Sequence, residues 1–238
     1  MPLPKINAPT YELVIPSSKK KIKYRPFLVK EEKILVIAME SSDIKDIANA
    51  VKQVLTSCIL TRGIKVDKLS TFDIEYLFLN VRGKSVGETV DIMVTCPDDG
   101  ETTVPVTVDL DAIQVKFDPE HTKDIKLDEK LTMRMKYPSL DQFIKENFQV
   151  EGVDFEQSID MIAECVDMIF SEEEKWTGSD FTKEEMVEFL EGLGSKQFKL
   201  LEKFFTTMPK LTHDFTVVNP KSNQENKIHL EGLAAFFN

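Results

Sequence analysis

The sequence predicts an α+β fold, and three observations carry the prediction. Apolar residues recur at three- and four-residue steps through residues 44–59, the spacing of an amphipathic helix. Strict alternation then runs through 90–96, 104–110, 113–117 and 131–137, with turn residues between; this is the period of strands with one wet face. Helical spacing returns from 139 to 205. Helices and strands therefore fall in blocks, which favours α+β over alternating α/β.

The first element is a hairpin. Tyr11, Leu13 and Ile15 alternate, as do Ile22 and Tyr24, around the polar tip Pro16-Ser17-Ser18-Lys19-Lys20-Lys21. Pro26 suits the first turn of a helix because its φ is already fixed, and residues 27–40 carry a strongly apolar helical stretch. Ile44, Ile47, Ala48, Val51, Val54, Leu55, Cys58 and Ile59 make one stripe of the next helix, which ends near Gly63. Ser70 and Asp73 read as a helix start, with Ile74, Leu77, Phe78 and Val81 following on one face as far as Gly83.

Val90, Ile92, Val94 and Cys96 share a strand face, and Pro97-Asp98-Asp99-Gly100 supplies a turn before Val104, Val106, Val108 and Leu110. Pro105 belongs on an edge, since it cannot donate to a ladder. Ile113, Val115 and Phe117 form a third run, and Leu131, Met133, Met135 and Tyr137 a fourth. Ser139 and Gln142 fit a capping box before Leu140, Phe143, Ile144 and Phe148. A longer helix is marked by Phe155, Ile159, Ile162, Val166, Ile169 and Phe170. Thr182 with Glu185 caps another, and Ser195 opens a last one that closes before Pro209. Phe215–Val218 and Lys227–Leu230 read as two strands, followed by Leu233-Ala-Ala-Phe-Phe237. These blocks divide the chain into a hairpin plus helices (1–85), an antiparallel β meander (86–137) and a helical region with a β tail (138–238). Together they make one compact unit or two closely packed subdomains.

Composition excludes several classes. Of 238 residues, 42% are hydrophobic and 30% charged, too apolar for wholesale disorder. The longest apolar run, Ile34–Met39, is far short of a membrane span, and MPLPKINAPTYE lacks the apolar core of a secretory signal. Cys58, Cys96 and Cys165 form no metal-binding spacing, and reduced thiols suit a cytosolic folding compartment. The net charge is −11 and unevenly spread: residues 1–30 hold seven Lys/Arg against Glu12, and 151–191 hold 14 Asp/Glu against Lys175 and Lys183. So acidic a body argues against a nucleic-acid groove.

No catalytic constellation emerges. Glu191-Gly-Leu-Gly-Ser-Lys196 lacks the phosphate-loop spacing and reads as an interhelical turn. Asp98-Asp99-Gly100 lacks the alternating oxygen ligands of a calcium loop. His121, His213 and His229 are scattered, and His213-Asp214 has no serine elbow to serve. Pairs such as Glu184-Glu185 read as solvated helix faces. The expectation is a non-enzymatic protein with no cofactor and no metal. Two stretches are candidates for partner contact. Lys19, Lys20, Lys21, Lys23 and Arg25 crowd one hairpin, with a solvated turn as the plainer reading. Leu233, Phe236 and Phe237 could dock on another chain or pack back on their own.

Three stretches together carry a family resemblance. Pro4-Lys5-Ile6-Asn7 leads into TYELVIPSSKKKIKYRPFLVKEEKILVIAMES, Asp73–Glu88 reads DIEYLFLNVRGKSVGE, and the end reads IHLEGLAAFF. In order and content they resemble the T4-type bacteriophage baseplate family, whose members build the central hub of a contractile tail. The likeness is strongest over residues 1–95 and 228–237. It implies a viral protein made in the host bacterial cytoplasm and destined for the virion tail baseplate. It would be either a hub component or a hub assembly factor, and the alternative is a tail assembly chaperone absent from the mature virion. The implied partners are other baseplate hub proteins and the tape-measure protein, with no nucleic acid and no membrane insertion. Some relatives carry cysteine knuckles near the positions of Cys96 and of 219–226. Here only Cys96 is kept, in TCPDDGE, and NPKSNQEN has no cysteine, so zinc-independent folding is expected.

Overall fold

The computed structural model describes residues 7–41, 43–140 and 155–232. The fold is α+β. The chain builds two units, Met1–Lys116 with Lys210–Asn238, and Phe117–Pro209.

In the first unit, strands β1 (Tyr11–Val14) and β2 (Lys21–Tyr24) form the expected antiparallel hairpin, with Tyr11 opposite Tyr24. Ile15, Ile22 and Tyr24 turn inward and are buried. Helices α1 (Val29–Ser41) and α2 (Ile44–Cys58) follow. The stripe read in α2 is the buried one: Ala48, Val51, Val54, Leu55 and Cys58 all lie inside. The end of α2 closes the outer edge of β2, because the Arg25 N–H donates to the Cys58 carbonyl at 3.0 Å and the Leu60 N–H to the Lys23 carbonyl at 2.8 Å. Helix α3 (Thr71–Val86) is buried on most of its circumference, with Phe72, Ile74, Leu77, Phe78, Leu79 and Val81 inside. A helix apolar on all sides is a central one. It stops at Gly87, whose φ of +137° an L side chain rarely adopts.

The alternating runs do not make one meander. Strands β3 (Thr89–Thr95) and β4 (Thr103–Asp109) form a two-stranded sheet, where Pro105, opposite Met93, sits on the edge its missing N–H requires. The third run supplies the short β5 (Gln114–Lys116), which pairs with β10 (Lys210–Val218); β10 in turn pairs with β11 (Glu225–Glu231). Alternation identifies a strand but not its partner, and the partner here lies almost a hundred residues downstream. Leu79, Ile92, Val94, Cys96, Val108, Leu110, Ile113, Leu211, Val217 and Ile228 form the core that joins these strands to α3.

The second unit is a four-stranded antiparallel sheet ordered β6-β7-β8-β9, from Asp124–Lys126, Thr132–Met135, Val166–Phe170 and Lys175–Thr177. Helix α4 (Phe155–Glu164), α5 (Lys183–Glu191) and α6 (Ser195–Thr207) pack their apolar residues into its core. Val166, Ile169 and Phe170, expected to continue a helix, form β8 instead. Their i, i+3, i+4 spacing fits a helix, yet so short an apolar run is equally a buried strand, and β7 pairs with it. The expected box capping α5 is present: the Thr182 N–H donates to Glu185 Oε2 at 2.7 Å and the Glu185 N–H to Thr182 Oγ1 at 3.2 Å. The helix read through Phe143, Ile144 and Phe148 lies outside the described residues.

Candidate functional site

The basic hairpin divides into cations of different kinds. Arg25 is structural: its Nη2 donates to Glu31 Oε1 at 2.9 Å, and its Nη1 to the Pro26 carbonyl, also at 2.9 Å. Glu31 is only 2% exposed, and it also accepts from the Leu28 N–H at 2.8 Å. Burial pushes its carboxyl up, but the Arg25 guanidinium and these hydrogen bonds outweigh that and hold it below 4.5. Lys21 and Lys23 project from the solvent face of β2 and share Glu12, directly in an ion pair for Lys21 and at 4.0 Å for Lys23. Lys19 and Lys20 stand exposed at the tip, where Lys19 takes the left-handed φ of +56° that closes the turn. The tip is fastened from below by Asp73 at the start of α3, which accepts from the Ser17 N–H at 2.9 Å and from the Ser70 hydroxyl at 2.6 Å. Four of the five sequence candidates therefore present charge to solvent, and Arg25 does not. Leu233, Phe236 and Phe237 lie outside the described residues.

The turn around Cys96 and the loop 219–226 meet. Asn219, fully buried, donates from Nδ2 to Asp98 Oδ1 at 2.9 Å and to Asp99 Oδ2 at 3.1 Å. The Asp98 N–H donates to Asn226 Oδ1 at 3.0 Å and the Ser222 hydroxyl to Asp98 Oδ2 at 2.5 Å. Asp99 also accepts from the hydroxyl and N–H of Thr102 and the N–H of Glu101. These bonds hold its carboxyl far below the usual range, the Thr102 hydroxyl foremost. Gly100, at φ +69°, makes the turn. These hydrogen bonds cross-link the two hairpin turns. Among the described residues, no group of three His, Cys, Asp or Glu could hold a metal ion. All three cysteines are buried thiols, and burial pushes that of Cys58 up to about 11, which leaves it unreactive.

Two of the histidines are held by hydrogen bonds. His229 lies opposite Asp214 across the β10–β11 ladder, with Nδ1 2.5 Å from Asp214 Oδ1; Lys116 pairs with the same carboxylate. This is an exposed charge cluster. His121 is held between Tyr137 Oη and Thr207 Oγ1, both at 3.0 Å, against Phe204.

Two apolar surfaces went unread in the sequence. The outward side of α1 carries Val29, Val36, Ile37 and Met39, with Val29 80% and Ile37 55% exposed. Its signal was the unbroken run Ile34–Met39, which a helix must display on both faces. In the second unit, Leu131, Ile169, Trp176, Phe181, Met186 and Phe189 line an open groove of about 320 Å³, with Glu185 at its edge. Trp176, the single tryptophan of the chain, lies opposite Ile169 on edge strand β9 and is 37% exposed.

A family model described as T4 bacteriophage base plate protein matches residues 8–238. Neither the curated proteins nor the solved structures yield a match.

Proposed function

We propose, on the premise that the chain belongs to the T4 bacteriophage base plate protein family, that it is a non-enzymatic structural component of the baseplate hub in a contractile tail. The match across residues 8–238, nearly the whole chain, supports a role in the base plate. The exposed features support it: a lysine-rich hairpin tip, an apolar helix face and an apolar groove are surfaces for assembly. Its partners are other hub proteins and the tape-measure protein, met in the host cytoplasm during tail morphogenesis. Among the described residues, no helix is long and apolar enough to cross a membrane.

Quantitative mass spectrometry of purified, intact phage particles tests the proposal. Recovery in fixed ratio to the other baseplate proteins is expected. Presence in tail precursors and absence from finished particles would make the chain a transient assembly chaperone instead.

A further inference from the structure

We infer that two copies of the chain pair through the free edge of β11, the strands running antiparallel so that two three-stranded sheets become one. The sheet has unequal edges. On one side β5 spans only Gln114–Lys116, whereas β11 on the other runs for seven residues, Glu225–Glu231, in unbroken register with β10. It contains no proline and no bulge, devices that usually blunt an edge. The phase of the ladder shows which groups are on offer. The Asn219 N–H donates to the Gln224 carbonyl at 3.0 Å at one end, and the Gly232 N–H to the Leu211 carbonyl at 2.9 Å at the other. Hydrogen-bonded and open pairs alternate between these ends. Asn226, Ile228 and Leu230 therefore bond to β10, while Glu225, Lys227, His229 and Glu231 point their N–H and C=O groups away from it. Among the described residues nothing bonds those outward groups. Unpaired strand backbone of this length is a template for another strand.

The side chains of β11 select a second copy. Strands related by a two-fold axis can meet in only a few registers that set outward groups face to face. An axis at Lys227 opposes lysine to lysine at its centre. One at Ile228 opposes Glu225 to Glu231 and Lys227 to His229. Like charges directly opposite are destabilising. An axis at His229 instead sets Lys227 opposite Glu231 at both ends of the pairing, and Ile228 opposite Leu230 between them. Lys227 is exposed and makes no ion pair among the described residues, so it is available to that glutamate. The two His229 side chains meet at the axis, each beside the Asp214 carboxylate of its own sheet, with Nδ1 2.5 Å from Oδ1. Because one patch meets itself, the contact closes at a dimer.

Sedimentation velocity of the purified full chain over a concentration series tests this, together with amide hydrogen exchange read residue by residue. The mass rises with concentration from monomer to dimer and no further. In the dimer the amides of Lys227, His229 and Glu231 become protected, joining those of Asn226, Ile228 and Leu230, which β10 already protects in the monomer. Lys227→Glu alone and Glu231→Lys alone each weaken the dimer about tenfold, since each opposes like charges at both ends of the pairing. An equal mixture of these two variants pairs as a heterodimer, and both changes in one chain restore the homodimer. Lys227→Pro abolishes pairing. The N–H it removes is an outward one, so the bonds to β10 remain, and the exposed charge variants carry the test if it fails to fold. A dimer whose outward amides still exchange freely would overturn the inference, because the contact would lie elsewhere. A wild type monomeric at every concentration would overturn it too; protected outward amides in that monomer would assign the edge to a segment of its own chain.

Discussion

Ser17 and Asp73 stand 56 residues apart in sequence and share two hydrogen bonds: the Ser17 N–H to Asp73 Oδ1 at 2.9 Å and the Ser17 hydroxyl to Oδ2 at 2.5 Å. The Ser70 hydroxyl donates to the same carboxylate, which is wholly buried. A pattern that reads locally as a helix start thus serves a distant turn, and it fixes the lysine tip to the central helix. Asp73→Ala should destabilise the fold by about 2–3 kcal/mol, since it removes three hydrogen bonds at a buried site and leaves their donors unsatisfied. Urea denaturation checks this, and loss of less than about 0.5 kcal/mol would show the tether to be incidental.

The Arg25–Glu31 pair makes a second claim. Breaking a buried pair strands one charge, so Glu31→Ala should cost about 3 kcal/mol. Replacing both residues by methionine should cost much less, because no charge is then left behind. The folded carboxyl lies below its free value of 4.5. Its stabilisation is therefore fully present above that pH and is lost as pH falls through the lowered value. Wild-type stability should decline below about pH 4.5 more steeply than that of the double-methionine variant. Parallel pH series of denaturation midpoints check the sign.

Asn219 is the keystone between the two hairpin turns. Asn219→Ala removes the amide that bridges Asp98 and Asp99, and should cost about 1–3 kcal/mol as buried partners go unsatisfied. Hydrogen exchange should quicken in both turns together. With hydrogen bonds doing this work, a chelator should leave the melting temperature unchanged; a drop reversed by zinc would reveal a metal site.

Replacing Lys19, Lys20 and Lys21 by glutamine should leave folding intact to within about 0.5 kcal/mol, as exposed substitutions usually do. It should slow assembly with the tail partner, more at low ionic strength than at high, if the tip steers encounter. Stopped-flow association across a salt series decides, and unchanged rates at low salt would return the tip to the status of a solvated turn.

Local chemistry was legible in the sequence, and long-range pairing was not. The α2 stripe, the first hairpin, the Thr182–Glu185 cap and the edge position of Pro105 each follow from residues a few positions apart. The pairing of β5 with β10 and the strand nature of Val166–Phe170 depend on partners that no local period encodes. The candidate site divides the same way. The lysines were visible as composition, whereas the burial of Arg25 against Glu31 and the groove beneath Trp176 needed the chain to fold.

The ladder between β5 and β10 sets Lys116 directly opposite Lys210. Everything from Phe117 to Pro209 therefore leaves and rejoins the rest of the protein through two neighbouring strand ends. Cutting out that stretch and closing the gap with a tight turn would convert the two strands into an ordinary hairpin, with every register in the remaining sheet preserved. Evolution can add, exchange or discard the inserted body at that doorway without retuning the strand registers around it.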